Sequence, residues 1–345
     1  MTRVPMERLI EFGAEVLTAR GVADDRARIV SETIVEAEAF RQSTHGVVQF
    51  RSVCSALGVS ADAKADPRVV TDRGAMALID ANGSIPILAM KLAREIAVRK
   101  AREYGVATAM VRHSGWIAAL STHLAAVARE GLLATAWAQS SSCKDCAPFG
   151  GIDACFSTNP IALAFPTDEG PVVADFSTAS FSMGATSAMI KRNEKTETPR
   201  FLDKDGMSSR DPAVMKDGGS IMFAGCEAEG YKGYALSLFN EALTAAAGGS
   251  ANNPDVPGSQ SFGLTVIDPD HFAGTEYYLK EMKRFMTRVR ASRVRDGVDR
   301  IRFPGERGFA ALEDCRARGV PLDDEKLGML NQLAAECGVD PLKAD

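Results

Sequence analysis

Residues 87–139 read ILAMKLAREIAVRKAREYG (87–105), VATAMVRH (106–113), SGW (114–116), IAALSTHLAAVAREG (117–131) and LLATAWAQ (132–139). The first and fourth segments place apolar residues at helical spacing, and each ends in a glycine, Gly105 or Gly131, where a helix stops. The second and last are short, largely apolar runs of strand length. Helix and strand in alternation indicate an α/β protein. Upstream, the pattern predicts helices over 6–19 and 24–41 and a short helix over 45–57. VVTDRGAMALIDA (69–81) follows as two strands about a turn at Asp72-Arg73-Gly74. Downstream come the apolar strands IALAFP (161–166) and PVVADFS (171–177), then a polar, poorly periodic stretch over 186–220. GYALSLFNEALTAAAGG (233–249) predicts a helix, FGLTVID (262–268) a strand and residues 275–292 another helix. The turn Phe303-Pro304-Gly305 leads into two terminal helices. With no repeat and no low-complexity linker, the expected division is a cap built from both chain ends (1–120 and 301–345) around a middle domain (121–300).

Apolar residues make up 46% and charged residues 25% of the 345, the balance of a globular protein, and the net charge of −5 argues against a nucleic-acid partner. The opening MTRVPMERLIEFGAEVL carries Glu7, Glu11 and Glu15, a helical pattern rather than a signal peptide. No run approaches the roughly 20 apolar residues needed to span a bilayer. A cytoplasmic protein without a membrane partner is expected. Seven scattered cysteines suit free thiols in a reducing compartment. Cys143, Cys146 and Cys155 have no histidine among them to complete a zinc site, so no metal is expected.

There is no G-x-G-x-x-G and no P-loop, so neither common phosphate-binding signature is present. Only four histidines occur: His45, His113, His123 and His271. His45 sits in the polar break Ser43-Thr44-His45-Gly46, where Thr44 can hold the imidazole and Gly46 admits a ligand. Either His45 moves a proton, or Ser43 and Thr44 merely cap a helix with His45 in its first turn. Asp175, Phe176 and Ser177 end a buried strand, a place where α/β proteins present ligand contacts or cap the next element. Gly230-Tyr231-Lys232-Gly233 opens a helix, where a cation beside free N–H groups suits an anion, though exposed lysines are common there.

In order along the chain, THGVVQF (44–50), PFGGIDACFSTNPIALAFP (148–166), DFSTASFSMG (175–184), EGYKGYALSLF (229–239) and RFPGERG (302–308) resemble the non-Rossmann malate/L-lactate dehydrogenase family. That family includes ureidoglycolate and sulfolactate dehydrogenases, diketogulonate reductases and piperideine-2-carboxylate reductases. The resemblance implies the family's own fold, a homodimer, NAD or NADP, and a small 2-oxo acid, 2-hydroxy acid or cyclic imine carboxylate as substrate. It implies His45 as proton donor and acceptor, helped by Thr44. Ser140, Asp175, Phe176, Ser177, Lys232, Gly233 and the turn Pro304-Gly305-Glu306 would contact the cofactor, and Thr158 the substrate. Three departures stand out. Gln49 replaces the arginine that would pair with a substrate carboxylate, with Arg51 two residues on as a substitute. Trp116-Ile117-Ala118, expected against cofactor and substrate, replaces a segment with a second histidine, and Ala185 replaces a charged residue. Glutamine cannot reproduce a bidentate arginine contact, so a bulkier or less acidic substrate is expected. The alternative is a member that keeps the cofactor but has lost or changed the usual catalysis.

Overall fold

The computed structural model describes residues 1–253, 255 and 259–343. Strand β1 (Thr2–Val4) precedes helices α1 (Met6–Ala19), α2 (Asp24–Ala39) and α3 (Gln49–Ala56). Strands β2 (Arg68–Arg73) and β3 (Met76–Asp80) lead to α4 (Pro86–Tyr104), β4 (Val106–Ser114), α5 (Leu120–Arg129) and β5 (Leu133–Ser140). Next come β6 (Pro160–Phe165), β7 (Val172–Ser177) and α6 (Met183–Arg192). Three two-residue strands follow, β8 (Phe201–Leu202), β9 (Ser208–Ser209) and β10 (Ser220–Ile221). The chain continues through α7 (Cys226–Ala246), β11 (Gln260–Ile267), α8 (Thr275–Arg290), α9 (Glu306–Arg318), β12 (Val320–Leu322) and α10 (Asp324–Cys337).

A seven-stranded mixed sheet runs in the order β2-β3-β4-β11-β5-β6-β7, with only β3 and β4 parallel. Alternation along β11 sends Phe262, Leu264 and Val266 into a core shared with Met90 and Ala93 of α4 and Leu124 of α5. Each such large side chain, wholly buried, contributes about 1.5–3 kcal/mol. The two chain ends meet in a second core, where Leu9, Phe12, Ile34 and Phe50 pack with Leu312 and Leu330. β1 pairs with β12 in the same place, tying the ends together.

Residues 68–114, grouped with the cap on sequence grounds, are instead three strands and a helix of the main sheet. The turn between β2 and β3 falls at Gly74-Ala75, because Asp72 and Arg73 are still paired with Ala77 and Met76. The helix expected over 45–57 is split into a 3₁₀ turn at Ser43–His45 and α3. The stretch over 186–220 is structured: it holds most of α6 and the small antiparallel sheet β10-β8-β9.

Candidate active site

His45 lies where the helical layer of the chain ends faces the sheet. Ala39 ends α2, Arg41 turns the backbone left-handed (φ 68), and His45 N–H closes the 3₁₀ turn on the Gln42 carbonyl at 2.7 Å. Thr44 Oγ1 is 3.0 Å from His45 Nδ1, which leaves Nε2 as the ring nitrogen with no partner among the described residues. The Trp116 ring stacks on the imidazole, with centroids 5.9 Å apart and planes 26° from parallel. From the end of β7, Asp175 presents a carboxylate that accepts the Ser121 N–H at 2.8 Å and the Gln42 amide at 3.5 Å. Burial lowers the pKa of His45 below its ordinary 6.5, while the nearby Asp175 pulls it up. Burial raises Asp175, against the Ser121 N–H and His45. Both groups are therefore pushed toward their neutral forms.

These residues line a cavity of about 810 Å³. Thr44, His45, Trp116, Ile117, Ala118, Ser140, Thr158, Asp175, Phe176 and Ser177, all singled out from sequence, meet there. Gln42, Asp145 and Ser182 line it too, and sequence reasoning assigned them no role. A recess of about 870 Å³ adjoins at Gln42 and is walled by Arg41, Arg300, Arg302, Arg307, Pro304 and Gly305. The Val173 N–H donates to the Pro304 carbonyl at 3.1 Å, and Gly305, at φ +90 with Val173 backbone atoms 3.1–3.2 Å from where a Cβ would stand, lets that turn press against β7.

Other expected contacts lie elsewhere. Gln49 donates its amide to the Thr44 carbonyl at 2.7 Å, bracing the His45 turn from behind instead of facing the cavity. Arg51 points to α10, 3.4 Å from Glu336. Lys232 is exposed, 2.8 Å from Glu229, and does not line the cavity. Gly233 has a packing role: a Cβ would stand 2.5 Å from the Thr178 carbonyl and 2.7 Å from Ala224 N. Glu306, the first residue of α9, is not among the residues walling the recess; it accepts the Phe303 N–H at 3.1 Å and pairs with Arg290 at 3.0 Å. Ala185 presents no polar side chain; its N–H donates to the Ser182 hydroxyl that starts α6.

A family model described as malate/L-lactate dehydrogenase matches residues 4–331. The chain is 27% identical over 351 residues to a malate dehydrogenase of Pyrococcus horikoshii, covering 99% of this chain and 97% of that protein. It is 28% identical over 342 residues to a delta(1)-pyrroline-2-carboxylate/delta(1)-piperideine-2-carboxylate reductase of Pseudomonas syringae pv. tomato, covering 96% of each. The solved malate dehydrogenase of Pyrococcus horikoshii OT3 superposes with a TM-score of 0.88 at 27% identity, over 99% of this chain and 97% of that one. With the likeness running nearly end to end through the sheet, the joined chain ends and the cavity between them, the chain belongs to the malate/L-lactate dehydrogenase family of dehydrogenases and reductases.

Proposed function

We propose that the protein moves a hydride between NADH or NADPH and a small 2-oxo acid or cyclic imine carboxylate, with His45 giving and taking the proton. The observation that carries this reading is an imidazole fixed at Nδ1 by Thr44, free at Nε2, and set against Asp175 on a cavity large enough for a substrate and a nicotinamide. The residues present suit that cofactor. Ser140, Phe176 and Ser177 would hold the nicotinamide end. Arg41 and Arg307, which form no ion pair among the described residues, would meet phosphates in the adjoining recess beside Pro304 and Gly305. When bound, the nicotinamide supplies or accepts the hydride at the substrate carbon. His45 Nε2 then protonates the substrate oxygen or nitrogen, and removes that proton in the opposite direction. Asp175 offsets part of the cost of charging a buried imidazole. Trp116 gives the pocket a flat apolar wall in place of a second proton-bearing ring.

The working unit in this reading is a homodimer, because α7 exposes Leu236, Leu238 and Phe239 along one apolar helix. Seven cysteines without a disulfide suit a cytoplasmic enzyme, and among the described residues no helix is long and apolar enough to cross a membrane. Titrating the purified protein with NADH and with NADPH, followed by nicotinamide fluorescence, tests the reading. Saturable binding of one or both is expected, with oxidation of the bound cofactor when 2-oxo acids or cyclic imines are added; binding of neither rejects it.

The pH dependence has a definite sign. Because burial lowers the pKa of His45, the ring is mostly neutral at pH 7, ready to accept a proton and needing acid to donate one. Reductive kcat/KM should therefore rise as pH falls from about 8 to about 6, and oxidative kcat/KM should fall over the same interval. Profiles measured in both directions that move together would remove His45 from the proton path.

A further inference from the structure

The charge of the cavity is unusual for a site that takes acids. No lysine or arginine is among its lining residues, while two carboxyl groups, Asp145 and Asp175, are. Asp175 is accounted for by Ser121, Gln42 and His45. Asp145 is not: its carboxylate has no hydrogen bond or ion pair among the described residues. Its backbone, by contrast, is held on both sides. The Asp145 N–H donates to the Phe156 carbonyl and the Ile221 N–H donates to the Asp145 carbonyl, both at 2.8 Å. A backbone so anchored leaves only the short Asp145 side chain to be ordered when it meets a ligand. Burial raises its pKa to about 6, with no cation among the described residues counteracting it, so the group is mostly ionised at neutral pH in a partly desolvated wall. An unpaired, half-buried carboxylate in such a place is left to water until a ligand supplies the opposite charge.

We propose that Asp145 is a recognition group for a positively charged nitrogen on the substrate, separate from the reacting carbon. This rests on the hydride-transfer reading above and deepens it. The substrate class becomes 2-oxo or imine carboxylates carrying an ammonium group, which the loss of arginine at Gln49 and the acidic wall both favour over dicarboxylates. A contact between opposite charges in such a partly desolvated wall is expected to be worth roughly ten- to hundredfold in affinity, about 1.4–2.7 kcal/mol.

The test uses two probes of one shape: 5-trimethylammonio-2-oxopentanoate, which cannot cyclise, and its neutral tert-butyl isostere. Each is titrated calorimetrically into the cofactor-loaded wild type and Asp145→Asn, and turnover is measured in parallel. The wild type is expected to bind the cationic probe ten- to hundredfold more tightly, and Asp145→Asn to lose that preference while binding the neutral probe and NADH as before. Equal binding of the two probes by the wild type, or a preference surviving in Asp145→Asn, overturns the proposal. Loss of NADH affinity in Asp145→Asn also overturns it, assigning the carboxylate to a cofactor ribose. A charge preference without turnover sustains Asp145 and rejects the hydride reading, whereas turnover without preference does the reverse.

Discussion

Replacing His45 by alanine is expected to lower turnover by about 10²–10⁴-fold while leaving the affinity for NADH or NADPH nearly unchanged. The size of the effect follows from the absence of a substitute among the histidines. His123 is buried inside α5, its Nε2 2.9 Å from the Ile117 carbonyl and its pKa pushed down to about 4. His113 sits 2.9 Å from Asp80 on a separate recess, and His271 lies against the Arg102 carbonyl. Trp116 has no proton to exchange in this range. The Asp175 carboxylate lines the cavity but is already engaged by the Ser121 N–H and the Gln42 amide. Cofactor affinity should survive because the arginine recess and the cavity walls at Ser140 and Ser177 are untouched. Stopped turnover with intact fluorescence titration is the expected pair of results. Undiminished kcat, or a fall in cofactor affinity as large as the fall in kcat, would show that His45 only binds.

How far such a site is legible in sequence depends on whether its signal is local. The helix read over 87–105 is α4 at Pro86–Tyr104, and the strand read over 106–113 is β4, because periodicity and a closing glycine are both carried within one element. His45 was conspicuous because histidines are scarce and this one sits in a polar break. Its stacking on Trp116, some seventy residues later, has no local trace, since it depends on β4 delivering the chain beside the turn after α2. The strands within 186–220 escaped notice because each is two residues long, too short to show any alternation. Lys232 misleads for the opposite reason. The glycine-flanked helix start is a real local feature, yet the fold leaves Lys232 exposed beside Glu229, away from the cavity lining. Asp145 lies between Cys143 and Cys146, in a stretch whose local signal is that of the thiols. What marks it is the lack of any partner, a property that exists only once the chain is folded. The place of 68–114 in the seven-stranded sheet has no local trace either, since hydrogen bonding of β4 to β11 from another part of the chain decides which sheet those strands join.

The second large effect is expected at Glu38, which never touches the cavity. Its carboxylate, buried in the last turns of α2, accepts the Val47 N–H at 3.1 Å and pairs with Lys326 of α10. One side chain thus joins the segment that follows His45 to a helix from the far end of the chain. Glu38→Ala strands the ammonium of a largely buried lysine and leaves the Val47 N–H unsatisfied. Removing one partner of a buried pair costs about 3–5 kcal/mol, and because Lys326 keeps some contact with water the lower end, about 3 kcal/mol, is expected. For a chain of this length that corresponds to a fall in Tm of about 4 °C. Glu38→Gln keeps an acceptor for Val47 and should lose less than half as much. Because Glu38 holds the Val47 N–H just after the 3₁₀ turn, next to the Gln49 brace on Thr44, Glu38→Ala should also reduce kcat, and it should do so well below its melting temperature. Thermal melts and kcat at 25 °C measured on both variants separate these effects. A melting point within about 1 °C of the wild type would mean that the Lys326 pair contributes nothing. A normal kcat in a destabilised Glu38→Ala would mean that Gln49 and the packing of Trp116 suffice to hold His45 in register.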